Sequence, residues 1–213
     1  MKQPLIPIGI LLTGLLYIFV VETDDVWILL VTKLLPMILI ILYASRQIRP
    51  TKSILIGLSL CMLGDALIIF SFIPGLLAFL IGHIFYIYAF VKKWYFSRLH
   101  LSTIIPFTVF GTYIGAKLIS SLISNSEEVL ILPVVFYLVI ITLMGFTAFQ
   151  TRNKFLYFGS ILFIISDTVL AWNKFIADLH YSGEIIMLTY YGAQFLIANS
   201  LTVQSPENKK VHL

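Results

Sequence analysis

Residues 53–91 read SILIGLSLCMLGDALIIFSFIPGLLAFLIGHIFYIYAFV, and this stretch decides the fold. It is almost wholly apolar and about twice as long as the ~20 residues that cross the ~30 Å hydrocarbon core of a bilayer. Turn-forming residues interrupt it between Ser71 and Pro74. We therefore predict two membrane helices, at about 53–70 and 75–91, joined by a tight hairpin.

The whole chain has the same character. Of its 213 residues, 60% are hydrophobic, 15% are aromatic and 11% are charged, whereas soluble domains carry roughly 25% charged residues. This composition excludes an ordinary soluble domain and a disordered chain, and continuous apolar runs argue against a β-barrel. We predict one integral membrane domain, 1–213, of the all-α class: a polytopic bundle of eight transmembrane helices. The predicted helices are at about 4–21, 26–44, 53–70, 75–91, 102–121, 129–149, 155–172 and 184–203.

The basic residues predict the orientation of this bundle. Of the fourteen Lys and Arg residues, eleven fall in connections or tails on one side, and the opposite side collects the loop acids and Lys174. Because cytoplasmic loops carry the excess of Lys and Arg, we predict that both termini are cytoplasmic. The eleven are Lys2, Arg46, Arg49, Lys52, Lys92, Lys93, Arg98, Arg152, Lys154, Lys209 and Lys210.

Several partners and cofactors are not expected. The basic residues are scattered rather than gathered in a patch, so no nucleic-acid function is predicted. Cys61 is the single cysteine and no close-spaced His pair occurs, so we predict no metal and no cofactor.

The first apolar run has no cleavage pattern after it and is interpreted as a retained helix. Short loops favour a multi-pass protein of a bacterial cytoplasmic membrane, with the endoplasmic reticulum as the alternative location.

Four ionisable side chains lie inside predicted helices without an easy route to the interface. At ~1.5 Å per residue from the outer helix ends, Asp65 and Asp167 lie roughly 8 Å deep, Lys33 about 10 Å and His83 about 12 Å. Each such group costs at least ~2.5 kcal/mol in a membrane helix, so the set costs on the order of 10 kcal/mol before pairing. We predict that the aspartates face the bundle interior at one level.

Other polar side chains extend this layer. Tyr86 follows His83 by three residues, and Gln194 follows Tyr190 by four, so each pair shares a helix face. Tyr137 is a further candidate on the 129–149 helix. A purely structural interpretation stands beside the functional one: the buried charges pair with each other and hold the helices together.

A weak internal repeat supports this layout. Gly64-Asp65 and Ser166-Asp167 occupy the third and seventh predicted helices, which run in the same direction. Leu35-Pro36 resembles Leu132-Pro133 on the second and sixth. The pattern predicts a unit of four helices that is repeated in parallel.

Two carboxyl groups in an apolar cavity do not both ionise easily, so one aspartate can keep its proton while its partner, beside Lys33, stays charged. The pair then offers an acid and a base. Glycosidases use such a pair to pass through an oxocarbenium-like state, and protonating the carbon of a vinyl ether gives the same kind of cation. Which aspartate is acid and which is base stays open at this point.

Five motifs, in this order and across most of the chain, resemble those of the YhhN-like lysoplasmalogenases. They are Lys33-Leu-Leu-Pro36, Gly64-Asp65, Gly82-His83-x-x-Tyr86, Ser166-Asp167 and Tyr190 to Gln194. The resemblance implies an eight-helix membrane enzyme that hydrolyses the alkenyl ether of lysoplasmalogens to a fatty aldehyde and glycerophosphocholine or glycerophosphoethanolamine, without a metal. It implies that Asp65 and Asp167 are the catalytic pair. It also implies substrate-binding roles for Lys33, His83, Tyr86, Tyr137, Tyr190 and Gln194.

The hypothesis from the sequence is therefore a lysophospholipid hydrolase that works among membrane lipids. The rival is a small proton-coupled transporter in which the same aspartates relay protons or bind a cation. A structural membrane subunit is a third possibility, and in that case replacing either aspartate by asparagine has no effect in any assay.

Overall fold

The computed structural model describes residues 5–21, 23–47 and 50–202, and within them each of the eight predicted apolar segments forms one long helix. The all-α class is thereby confirmed. In chain order the helices are α1 Leu5–Val20, α2 Val26–Ser45, α3 Lys52–Phe70, α4 Phe72–Val91, the single turn α5 Arg98–Leu101, α6 Ile104–Ser124, α7 Ile131–Gln150, α8 Lys154–Phe175 and α9 Ser182–Asn199.

The observed bounds differ from the predicted ones by up to four residues, with the largest shifts at the start of α4, in α6 and at the ends of α8 and α9. The last helix ends at Asn199 and continues only as a 3₁₀ turn, Ser200–Thr202. Residues 4 and 203, which were predicted to be helical, lie outside the described residues. So do four basic residues of the orientation argument, Lys2, Arg49, Lys209 and Lys210, and one of the loop acids on the opposite side, Glu22.

Six helices of the described residues are long and apolar enough to cross a membrane: α2, α3, α4, α6, α7 with the 3₁₀ turn before it, and α8. Helix α1 is apolar but has only 16 residues. Helix α9 has 18 residues and is less apolar, because it carries polar side chains such as Tyr190 and Gln194. The chain is therefore a multi-pass helical membrane protein.

The hairpin between α3 and α4 is tighter than the sequence predicted. Only Ser71 lies between them, in extended conformation, so α4 begins at Phe72 and not at residue 75. Pro74 falls in the first turn of α4, where its missing N–H would have no partner in the helix anyway. The position after Pro74 must be glycine, because a β-carbon on Gly75 would lie 2.7 Å from Cβ and 2.8 Å from Cα of Ile68.

Gly75→Ala is expected to destabilise the protein by about 1 to 3 kcal/mol, because the new methyl group overlaps backbone atoms of α3 that cannot move aside. The midpoint of thermal unfolding in detergent measures this loss. Gly14→Ala is the matched control, since its β-carbon would be 3.5 Å from Cδ2 of Tyr191, an ordinary contact. Equal midpoints for the two variants would contradict the tight hairpin.

Six of the long helices pack as a closed ring. Each member contacts the next in the order α2, α3, α4, α7, α8, α9, and α9 contacts α2 to close the ring. Helix α1 packs outside the ring against α2 and α9, and α6 packs outside it against α7 and α8. The ring therefore has a protected interior while much apolar surface faces lipid.

The order of helices in the ring agrees with the predicted internal repeat, although the outer helices pack differently, α1 on α2 and α9 but α6 on α7 and α8. Three helices of each half, α2–α4 and α7–α9, contribute to the ring in the same order, and one helix of each half lies outside. Helices α3 and α8 are opposite members of this ring. Their aspartates, Asp65 and Asp167, thus approach the interior from opposite sides.

Candidate active site

A polar cavity of about 380 Å³ lies between α2, α3, α8 and α9, and it extends to the ends of α3 and α8. Asp65 and Asp167 both line this cavity, together with Lys33 and Tyr190. Four residues that lie far apart in the sequence are therefore brought together in one space.

Asp65 is paired with a cation. Its side chain is 2% exposed, and Oδ1 lies 3.9 Å from Nζ of Lys33. The hydroxyl of Tyr190 donates a hydrogen bond of 2.6 Å to the other carboxyl oxygen, Oδ2. A buried carboxylate needs such partners, since an unpaired charge inside a protein costs several kcal/mol.

Helix α9 helps to place the backbone at Lys33. Three residues later, Pro36 has no N–H to donate to the carbonyl of Thr32, so α2 has one hydrogen bond fewer in this turn. The hydroxyl of Tyr191 donates to the carbonyl oxygen of Lys33 at 2.9 Å. Helix α9 therefore contacts this site through two adjacent tyrosines, one at the backbone of Lys33 and one at the carboxylate of Asp65.

Asp167 has a different environment. The hydroxyl of Tyr137 on α7 donates a hydrogen bond to its Oδ2. Of the two aspartates, only Asp65 forms an ion pair within the described part of the chain. The neighbouring Ser166 donates to the carbonyl of Ile186 at 3.0 Å and so fixes α8 against α9 at this level. The two carboxyl groups thus share a cavity but not a counter-ion.

The remaining predicted residues lie in a layer behind the cavity. Tyr86 on α4 donates a hydrogen bond of 2.6 Å to Oε1 of Gln194 on α9, and both side chains are fully buried. The ring of His83 packs between those of Phe163, at 4.6 Å between centroids, and Tyr137, at 5.5 Å. Neither ring nitrogen of His83 has a hydrogen-bond partner among the described residues. These three side chains do not line the cavity itself. They lie behind Tyr137 and Tyr190, the tyrosines that donate hydrogen bonds to the two aspartates.

Sequence reasoning missed two residues that line the cavity. Tyr17 of α1 is 4% exposed and packs edge-on against Tyr191, at 6.2 Å between centroids. It lies three residues before the end of α1 at Val20, so a depth count that included tyrosines would have found it. Lys174 lies seven residues after Asp167, which is two turns along the same face of α8.

The fold and the site together define a class: a multi-pass helical membrane protein in which a buried and a partly buried aspartate line one cavity between the helices. The sequence model of the YhhN family matches residues 28–201. The chain belongs to the YhhN family, which confirms the resemblance of the five motifs.

Proteins named lysoplasmalogenases are similar to the chain over most of its length. Lysoplasmalogenase TMEM86B of Homo sapiens is 30% identical over 198 residues, which cover 90% of this chain and 83% of the human protein. The protein of the same name from Rattus norvegicus is 29% identical over 196 residues, or 89% of this chain and 79% of its own. Lysoplasmalogenase TMEM86A of Homo sapiens is 33% identical over 168 residues, 72% of this chain and 66% of its own. No solved structure matches the chain.

Proposed function

We propose that the protein is a lysoplasmalogenase. It hydrolyses the vinyl ether bond of lysoplasmalogens to a fatty aldehyde and glycerophosphocholine or glycerophosphoethanolamine. The observation that carries this proposal is that Asp65 and Asp167 line one cavity in a chain whose similar curated proteins bear that name. Nothing in the structure or the relatives favours the transporter.

The different partners of the two aspartates support a division of labour. Asp65 lies beside Lys33, which favours its ionised form, so Asp65 is the base. Asp167 forms no ion pair within the described residues and also lines an apolar pocket between α4, α6, α7 and α8. Apolar surroundings favour the neutral form of a carboxyl group, against the opposing effect of the hydrogen bond from Tyr137, so Asp167 holds a proton and is the acid. Identical side chains thereby take opposite roles, as in other carboxylate pairs.

The reaction balances with these two groups alone. Asp167 gives its proton to the second carbon of the alkenyl chain, the double-bond electrons form the new C–H bond, and an oxocarbenium ion remains at the first carbon. Asp65 takes a proton from water as the water oxygen bonds to that carbon, giving a hemiacetal. The hemiacetal hydroxyl then returns a proton to Asp167, Asp65 protonates the ether oxygen, and the C–O bond breaks.

The remaining polar groups have supporting roles in this proposal. Lys174 at the outer end of α8 and Lys33 give the polar cavity two cations, which suit the phosphate of the head group. The hydroxyl of Tyr137 orients the acid, Asp167, and the hydroxyl of Tyr190 orients the base, Asp65. The deeper layer of His83, Tyr86 and Gln194 supports them from behind.

We also propose that all eight long helices cross the membrane as one domain, with both termini in the cytoplasm of a bacterial cell. The excess of Lys and Arg on the side of the α2–α3, α4–α6 and α7–α8 connections supports this orientation. The cavity then lies in the outer half of the cytoplasmic membrane. A reporter fused at residue 24 that reads as cytoplasmic would contradict this topology.

The assay that tests the function compares two lysolipids. The purified protein in vesicles is expected to release aldehyde from the alkenyl ether and to leave the saturated alkyl ether intact, because only the alkenyl form has a double bond to protonate. Aldehyde is measured by trapping as a hydrazone. Substrate counterflow in sealed vesicles without aldehyde would contradict the proposal and favour the carrier.

Tyr137→Phe is expected to lower kcat by about 10- to 100-fold with little change in KM, because the hydroxyl orients the acid in the transition state without holding the head group. The rate of aldehyde release at varied lysolipid concentration measures both constants. Tyr113→Phe on the lipid-facing side of α6, where Tyr113 is 56% exposed, is the matched control. A rise in KM alone would place Tyr137 in binding instead.

A further inference from the structure

Two apolar spaces continue from the polar cavity toward the lipid. The first, which we call the neck, is a pocket of about 40 Å³ between α4, α6, α7 and α8. Phe72, Asp167 and Leu170 line both the polar cavity and the neck. The carboxyl group of Asp167 therefore stands where a polar space and an apolar one meet.

The second space is the α6/α7 groove, an apolar groove of about 610 Å³ between those two helices. Leu138 lines both the neck and this groove, so the groove adjoins the neck at this side chain. The groove extends from Ile104 to Ile119, which is ~22 Å at ~1.5 Å per residue, against ~15 Å for half of the hydrocarbon core. It is long enough for a lipid chain.

The neck and the groove have few polar groups, and three of their hydroxyls donate hydrogen bonds within the protein. In the neck, Tyr137 donates to Asp167, and Thr168 donates to the carbonyl of Ile164 at 2.6 Å. In the groove, Thr142 donates to the carbonyl of Leu138 at 2.6 Å. These walls offer little to a phosphate, whereas Lys33 and Lys174 line the polar cavity. An amphiphile that fills all three spaces has one favourable orientation.

We propose, resting on the lysoplasmalogenase function, that the substrate's hydrocarbon chain runs from Asp167 through the neck, past Leu138, into the α6/α7 groove. The phosphate end occupies the polar cavity, and the vinyl ether lies at the neck beside the acid. The neck, at about 40 Å³, is the smallest of the three spaces. We expect it to admit one unbranched chain and not two, which fits a single-chain lipid as substrate.

A second apolar groove provides a control. It has about 330 Å³, lies between α1 and α9, and includes Leu188 in its wall. Within the described residues it shares no lining residue with the polar cavity or the neck. A hydrocarbon chain there does not lead to either aspartate.

The test measures binding of uncleavable alkyl ether lysophosphatidylethanolamine by its shift of the unfolding midpoint of the full-length protein. Leu138→Phe is expected to weaken binding of the hexadecyl ligand by about tenfold or more, because the larger ring fills the route of the chain. A butyl ligand, too short to pass Leu138, should bind as before. Leu188→Phe, the same substitution in the other groove, should bind both ligands like the wild type.

Unchanged hexadecyl binding in folded Leu138→Phe would overturn the proposal, as would an equal loss for the butyl ligand. If Leu138→Phe fails to fold, Leu138→Ala replaces it: the widened neck should accept a methyl-branched chain that the wild type rejects, and continued rejection overturns the proposal. A diacyl phospholipid that competes as well as the lysolipid would assign the groove to a membrane lipid. If hexadecyl binding depends on Leu138 as expected but the alkenyl lysolipid releases no aldehyde, only the proposed function is contradicted.

Discussion

Asp167→Asn is expected to lower aldehyde release by at least about 10³-fold while the protein stays folded in detergent. The asparagine has nearly the same shape and still accepts the hydrogen bond from Tyr137, but it has no proton to give to carbon. General acids contribute typically about 10² to 10⁴ to a rate, and no other acid among the described residues lines the neck. Aldehyde trapping over long incubations measures the residual rate.

The matched control is Asp178→Asn, a change of the same chemistry in the exposed connection between α8 and α9. It should leave the rate within about twofold, as surface substitutions usually do. Thermal unfolding of both variants shows whether lost activity reflects lost structure. A folded Asp167→Asn with full activity would end the two-carboxylate mechanism.

Lys33→Met is the second substitution with a large expected effect, and it should lower both the stability of the protein and its activity. Removing one partner of a buried ion pair leaves an uncompensated charge, which costs about 3 to 5 kcal/mol. Asp65 would then be 2% exposed without its cation. The unfolding midpoint should fall by several degrees, and Asp65 should take up a proton and stop acting as a base.

The double variant Lys33→Met with Asp65→Asn separates these two consequences. Neutral side chains of similar size should restore most of the unfolding midpoint, because no charge is left unpaired. Aldehyde release should stay absent, since the base is gone. A double variant that is less stable than either single one would show that the ion pair is not the reason for the loss.

The sequence predicted the fold well because a bilayer allows few solutions. A 39-residue apolar stretch must turn back on itself, and Ser71 and Pro74 indicated the position of the turn. The exact hairpin was not predictable from the pattern. It depends on the approach of Gly75 to Ile68, a contact between helices that periodicity does not reveal.

For the site, charge carried most of the information. Lys33, Asp65 and Asp167 stood out because ionisable groups are costly at that depth. Tyr17 did not stand out, because a tyrosine in an aromatic-rich chain is unremarkable until the packing of α1 on α9 places it at the cavity. Leu138 gave no signal at all, since its place between the neck and the groove depends on the position of α6.

The central claim is that a carboxyl group protonates the alkenyl carbon, and hydrolysis in D₂O tests it most directly. The proton on the acid exchanges with solvent and its transfer to carbon commits the alkenyl ether to hydrolysis, so the account predicts slower release of aldehyde in D₂O than in H₂O, with one deuterium on the carbon next to the carbonyl. Equal rates of release in the two solvents, or no aldehyde at all, would contradict the account.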